Sequence, residues 1–393
     1  MSDNETMTDL ARILSAWREL ENSGSDYVLA TVVAVQGPSY RKPGALMLLT
    51  PEGRRVGTIS GGCLEAEVAS RAWWLTTNGP TLQRYSTADD DGDRPYGSGC
   101  GGTVFLLLER RSTATPLLTT LERAFDRRIP LAVATILEGP HIGRRAFAGL
   151  RHEESAELKA NDRPDDESLR NFACRAMASR ESMENRIVLD DINTRAWADY
   201  RPARPALWIF GAGDDAQPLL RLAKELGWFV SVADGRSHLI TRERFPRADQ
   251  LTVLPIKDLP AILSNDSMTT FNGIHPEDAA IVMTHSFEQE SKILACMLEL
   301  QMRPAYIGVL GPQRRTRELL IEAGHLLNFP ATSITLQADR WLDDLHAPTG
   351  LDLGAESPET IALSVLAEIQ KVRTSTTALP LRSIRAARES IVG

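Results

Sequence analysis

Three groups of residues in this chain have types and spacings suited to chemistry. The first is a pair of glycine-flanked cysteines. Gly61-Gly62-Cys63 runs into a predicted helix, and Cys100-Gly101-Gly102 runs into a predicted strand. A thiol at a helix N-terminus meets partial positive charge, which favours the thiolate. Glycine loops leave backbone N–H groups free to face an anion. Both cysteines also fit a plainer description, as small residues in tight turns. The second group is Gly211-Ala212-Gly213-Asp214-Asp215-Ala216, with Asp234 following. Gly211 permits a tight turn, Gly213 lets a pyrophosphate approach the backbone, and Ala216 lets a helix sit close to a strand. Asp234 falls about 20 residues past the glycines, where a carboxylate reaches a ribose hydroxyl. Against that reading, Asp214 and Asp215 put negative charge where a phosphate would bind. The third group is Thr284-His285, predicted at the carboxyl end of a strand, the edge at which open α/β sheets bind ligands. Arg314 and Arg315 follow a later glycine strand and suit either a phosphate or solvent.

Two further cysteines, Cys174 and Cys296, fall in helical patterns and are expected to be buried and inert. The acidic run Asp89 to Asp93 is expected as an exposed loop, since the rest of an EF-hand is missing.

The surrounding pattern says what positions these groups. Leu10, Ile13, Leu14 and Trp17 form the apolar stripe of a helix over residues 7–20. Apolar runs at 27–35, 45–50, 103–109 and 130–137 read as strands, and 64–77 reads as a helix. This half is α+β-like, with glycines bunched in two places. From residue 207 the order is strand, glycine turn, helix, strand, acidic residue, as in a Rossmann βαβ unit. Further strands at 250–253, 279–284 and 305–310 alternate with helices, which predicts a doubly wound parallel sheet. Ser357-Pro358-Glu359 opens a last helix, with serine as N-cap and proline in the first turn. The expected division is a domain over 1–150, a linker or peripheral insertion over 151–204, and a Rossmann-like domain over 205–393. The insertion is read from the polar stretch 151–186 and from Pro202 and Pro205.

Bulk properties narrow the function classes. A chain of 393 residues exceeds what one core normally serves. A net charge of -8 without a Lys/Arg block argues against nucleic acid and anionic membranes as partners. No apolar run approaches the ~20 residues that span a bilayer, and the first residues are polar and acidic. Four widely spaced cysteines form neither a metal finger nor a disulfide framework, so the cytoplasm is the expected compartment.

The residues also resemble a known family. Gly57-Thr58-Ile59-Ser60-Gly61-Gly62-Cys63-Leu64-Glu65 and Cys100-Gly101-Gly102-Thr103 are similar to signatures of the XdhC/CoxI proteins, accessory factors of molybdenum hydroxylases such as xanthine dehydrogenase. Gly211-Ala212-Gly213, Arg244-Phe245-Pro246, Thr284-His285, residues 306–311, and Pro348 to Ala355 with Ser357-Pro358-Glu359 resemble that family's C-terminal Rossmann domain. The likeness runs in family order over roughly residues 8–110 and 205–373. It implies a carrier that binds molybdenum cofactor, supports its sulfuration and delivers it to an apo molybdenum hydroxylase. A cysteine desulfurase as sulfur donor is a further implied partner, and a homodimer is left open. The implied cofactor-binding set is Gly61, Gly62, Cys63, Cys100, Gly101, Gly102, Gly211, Gly213, Asp234 and His285. Cys100 is the candidate molybdenum contact, a soft thiolate for a soft metal centre. The chain departs from the family where Asp214 replaces a common histidine, and where Ser286-Phe287-Glu288-Gln289-Glu290 replaces a His/Asp-rich run. The competing reading is an NAD-dependent oxidoreductase built on the Rossmann unit, with NAD(P) as cofactor.

Overall fold

The computed structural model describes residues 9–62, 64–86, 102–149, 167–256 and 273–384. Cys63, the acidic run 89–93, Cys100 and Gly101 lie outside the described residues. The chain divides into two compact units, Met1–Arg204 and Pro205–Gly393.

The first unit holds two antiparallel sheets. Strands β1 (Val28–Gln36), β2 (Leu46–Leu49), β3 (Arg55–Gly57), β4 (Thr81–Ser86) and β5 (Thr103–Arg110) form the first, in the order β3-β2-β1-β5-β4. Helices α1 (Asp9–Ser23) and α3 (Arg111–Arg127) cover one face, where Ile13, Leu14, Trp17, Leu117 and Leu121 pack on Leu29, Leu46 and Leu48. Helix α2 (Glu65–Leu75) covers the other, with Val68 and Ala72 on Val28, Ala30, Val32 and Met47. Burial on both faces explains why β1 reads as a continuous apolar run and not as an alternation.

The second sheet comprises β6 (Leu131–Ile136), β7 (Arg145–Ala148), β8 (Met183–Leu189) and β9 (Ile192–Arg201), in the order β7-β6-β9-β8. Helix α4 (Glu167–Ser179) packs Leu169, Phe172, Ala173 and Ala176 against Ala132, Ala134, Ile187, Leu189, Ala196 and Ala198. Residues 167–201, expected to belong to a linker or insertion, are therefore the helix and two strands that complete this sheet. Their charges misled because β8 is an edge strand. Glu184, Asn185, Arg186 and Val188 are exposed while Ile187 and Leu189 are buried, so the polar residues mark its solvent side. Cys174 corrects a second expectation. It lies on the outer face of α4 and is exposed, whereas Cys296 is buried, and burial pushes its thiol up to about 12.

The second unit is a five-stranded parallel sheet of β10 (Ala206–Phe210), β11 (Phe229–Asp234), β12 (Gln250–Val253), β13 (Ala279–Val282) and β14 (Tyr306–Val309). The order is β12-β11-β10-β13-β14, so the winding reverses beside β10. Alternate residues of β10 serve opposite cores. Leu207 and Ile209 pack with α5 (Ala216–Glu225) and α9 (Pro358–Thr374). Trp208 and Phe210 share a core with residues of α6 (Phe287–Glu299), α7 (Gln313–Leu326) and α8 (Ile334–Asp343). This is the doubly wound architecture expected from the apolar runs. Two serine caps fix helix starts. Ser357 Oγ accepts the Thr360 N–H at 3.3 Å, and Ser286 Oγ accepts the Gln289 N–H at 3.4 Å.

Candidate functional site

Reversal of the winding brings the carboxyl ends of β10, β11 and β13 to one edge of the second unit. Gly211 makes the turn there with φ of +139°, and a Cβ on it would lie 2.4 Å from the Met283 carbonyl oxygen. Only glycine passes this crossing. Asp234 ends β11 with its side chain fully buried. Its Oδ2 accepts the Ala212 N–H at 2.9 Å and an Arg236 Nη at 2.7 Å. Its Oδ1 accepts the Arg236 backbone N–H at 2.8 Å and its Nε at 2.9 Å. Burial alone would raise this carboxyl's pKa. The Arg236 and Ala212 donors outweigh that and hold it below the usual carboxylate value. Arg236 also donates to the Thr284 carbonyl at 3.1 Å, so it ties the ends of β11 and β13 together.

His285 follows with a left-handed φ of +60°. Its N–H donates to buried Glu290 at 2.9 Å, and its exposed ring places Nε2 2.8 Å from Asp215 Oδ2. The other Asp215 oxygen is folded over the glycine turn, 2.5 Å from where a Gly213 Cβ would be. Arg244 reaches Asp214 Oδ1 at 2.9 Å and the Ala212 carbonyl at 3.2 Å. Arg315 Nη1 lies 2.5 Å from Glu290 Oε2, whereas Arg314 is almost fully exposed beside Glu318. The edge therefore brings Gly211, Gly213, Asp234 and His285 together. It fills the turn with Asp215 and turns Asp234 inward instead of toward a ribose.

In the first unit the glycine loop before α2 is built around Glu65. The buried carboxylate accepts the Ile59 and Ser60 N–H groups at 3.1 and 2.8 Å and the Ser60 hydroxyl at 2.5 Å. Ser60 Oγ in turn accepts the N–H groups of Gly62 at 3.2 Å and Leu64 at 3.1 Å. Burial would raise the Glu65 pKa, and these donors bring it below its ordinary value. Gly62 has φ of +110°. The loop between β1 and β2 meets both glycine segments. A Cβ on Gly61 would lie 3.6 Å from the Tyr40 ring, and one on Gly102 would lie 2.0 Å from the Pro38 carbonyl oxygen. Gly61 and Gly102, 41 positions apart, thus adjoin the same turn.

Sequence reasoning missed Arg236, Glu65, Glu290 and Tyr40. Arg236 stands two residues after a strand-ending aspartate, too short a spacing to signal a clamp. Glu290 was legible in part, because Ser286-x-x-Gln289 is a capping-box pattern that starts a helix and places the glutamate in its first turn.

A probable xanthine dehydrogenase subunit of Bacillus subtilis (strain 168) is 31% identical over 351 residues, spanning 88% of this chain and 93% of that protein. Residues 207–369 match the model of the XdhC Rossmann domain, and residues 20–86 match that of the XdhC and CoxI family. This chain belongs to the XdhC/CoxI family. The molybdenum cofactor insertion chaperone PaoD of Escherichia coli (strain K12) is 26% identical over 360 residues, 89% of this chain and 85% of its own. A crystal structure described as a xanthine dehydrogenase from Bacillus halodurans superposes with a TM-score of 0.64 at 27% identity, covering 95% of this chain and 97% of that one. No helix among the described residues is long and apolar enough to cross a membrane.

Proposed function

We propose that this XdhC/CoxI member carries molybdenum cofactor as cargo, supports its sulfuration and inserts it into an apo molybdenum hydroxylase of the xanthine dehydrogenase type. The observation that carries the reading is the meeting of the Gly61 and Gly102 segments on the turn at residues 38–40. Each segment runs directly into a glycine-flanked cysteine, Cys63 in one and Cys100 in the other. The relatives named for molybdenum hydroxylases and for cofactor insertion support the same role. In this reading Cys100 is the thiolate offered to molybdenum or to a transferable sulfur, and Cys63 is second. A cysteine desulfurase supplies the sulfur, and the work is done in the cytoplasm, where thiols stay reduced. The test is anaerobic purification from a cofactor-competent host, followed by assay of molybdenum and released pterin. Stoichiometric pterin with molybdenum supports the proposal, and protein devoid of both sinks it.

The oxidoreductase reading requires the Rossmann turn to hold a dinucleotide. All four near-neighbour N–H groups of Asp234 are already engaged with its carboxylate, and Asp215 covers Gly213. A ribose would have to displace a buried ion pair, and a pyrophosphate would meet two carboxylates. Titration calorimetry with NAD(H) should therefore show no saturation below about 1 mM, the concentration at which roughly 4 kcal/mol of binding is reached. Low-micromolar affinity would favour the oxidoreductase.

A further inference from the structure

We propose that Tyr40 is the ring on which the flat aminopyrimidinone ring of the cargo's pterin stacks. The proposal rests on the carrier reading given above, and it uses only residues of the first unit. Tyr40 is 75% exposed, yet the turn that bears it is held firmly. Arg41 reaches Asp9 Oδ2 at 2.7 Å, and Asp9 also accepts from Arg12 and from Thr58. Ser39 Oγ donates to the Arg41 carbonyl at 2.9 Å. On the far side, Gly44 N–H donates to Val32 at 2.8 Å, and Arg201 holds the Gly44 carbonyl at 2.6 Å. An aromatic side chain held out to solvent on a pinned turn gains nothing for folding. It presents a π face at low cost in conformational entropy.

What surrounds the ring fits a flat heterocycle with an anionic tail. Its carbon edge lies against Gly61, and beside it Gly62 faces open space, with nothing within 4 Å of an added Cβ. The exposed Gly61 N–H has no partner among the described residues, and it can donate to a ring carbonyl or an anionic oxygen. Lys42, two residues on, is exposed and forms no ion pair among the described residues, so it can offer a cation to a phosphate. Pterin is a fused bicycle comparable in area to a purine, and stacking on one aromatic side chain is sequence-tolerant and strong enough to measure.

The probe is 6-carboxypterin, which is fluorescent, planar and anionic, titrated into the full-length chain. Tyr40→Phe should bind it within about threefold of wild type. Tyr40→Ala and Tyr40→Leu should bind roughly tenfold or more weakly, the range expected for loss of one base–aromatic stack. Trp74, which is 72% exposed on α2 and adjoins neither glycine, is the control, and Trp74→Ala should bind as wild type does. Equal binding by wild type and Tyr40→Ala would overturn the inference, as would an equal loss in Trp74→Ala or no binding by wild type. Molybdenum content is read separately on wild type and Tyr40→Ala, so a Tyr40→Ala protein that retains cargo would fail this inference and leave the carrier reading standing.

Discussion

Cys100→Ser protein should purify folded and without cargo. The substitution changes one atom and removes the polarisable, ionisable sulfur, so little buried volume is lost. Its glycine neighbours Gly99, Gly101 and Gly102 give the position no packing role in the sequence, and Gly102 is kept bare by the Pro38 carbonyl beside it. Losing even an outer-sphere partner of a metal ligand costs 10- to 100-fold in affinity, so losing the thiolate proposed as the ligand should lower molybdenum retention by more than about tenfold. Activation of the client hydroxylase should fall in parallel. Cys174→Ser is the control. Cys174 is exposed on the outer face of α4, so its replacement should leave both stability and cargo unchanged. Anaerobic molybdenum and pterin analysis on folded protein decides the matter: equal content in wild type and Cys100→Ser would remove this thiol from the site.

The second unit was legible in the sequence because its strands are short apolar runs punctuated by glycine. Gly211 announces a crossing that no side chain survives, and the capped helices at Ser286 and Ser357 announce themselves by residue type. What the pattern could not convey was the state of the carboxylates. Asp234 stands where a ribose-binding acid would stand, and only the fold shows Arg236 curling back to cover it. In the first unit the strands of the first sheet were legible because both faces are buried. Strand β8 was not, since half of an edge strand faces water and reads as a polar linker. The link between Gly61 and Gly102 came from the family resemblance, which implies one cofactor-binding set for both, and not from the pattern of elements. It depends on antiparallel pairing of β1 with β5, which sets Gln36 opposite Thr103 and so carries the following turn to Gly102.

Replacing Asp234 should cost more stability than any other change at the candidate site. Its carboxylate is fully buried and satisfies four N–H groups, so alanine leaves Arg236 and the Ala212 N–H without their acceptor. Breaking a buried pair costs about 3–5 kcal/mol. The lower figure, about 3 kcal/mol, applies here because Arg236 stays 37% exposed and is rescued by water. For a unit of this size that lowers the melting temperature by roughly 6–12 °C. Asp234→Asn keeps the shape but turns an amide N–H toward one of the donors, so it should fall between alanine and wild type. The pH dependence follows from the sign of the shift. The folded pKa lies below the ordinary 3.8, so the carboxylate's contribution is fully present above that value and is lost as pH falls through the folded one. Glu65, depressed below its ordinary 4.5, acts in the same direction from the first unit. Wild-type stability should thus decline on acidification below about pH 4, and the second unit of Asp234→Asn should decline less steeply. Melting curves recorded from pH 7 to pH 3 test both statements. Parallel wild-type and Asp234→Asn curves across that window would mean that the buried carboxylate is not what the acid titrates.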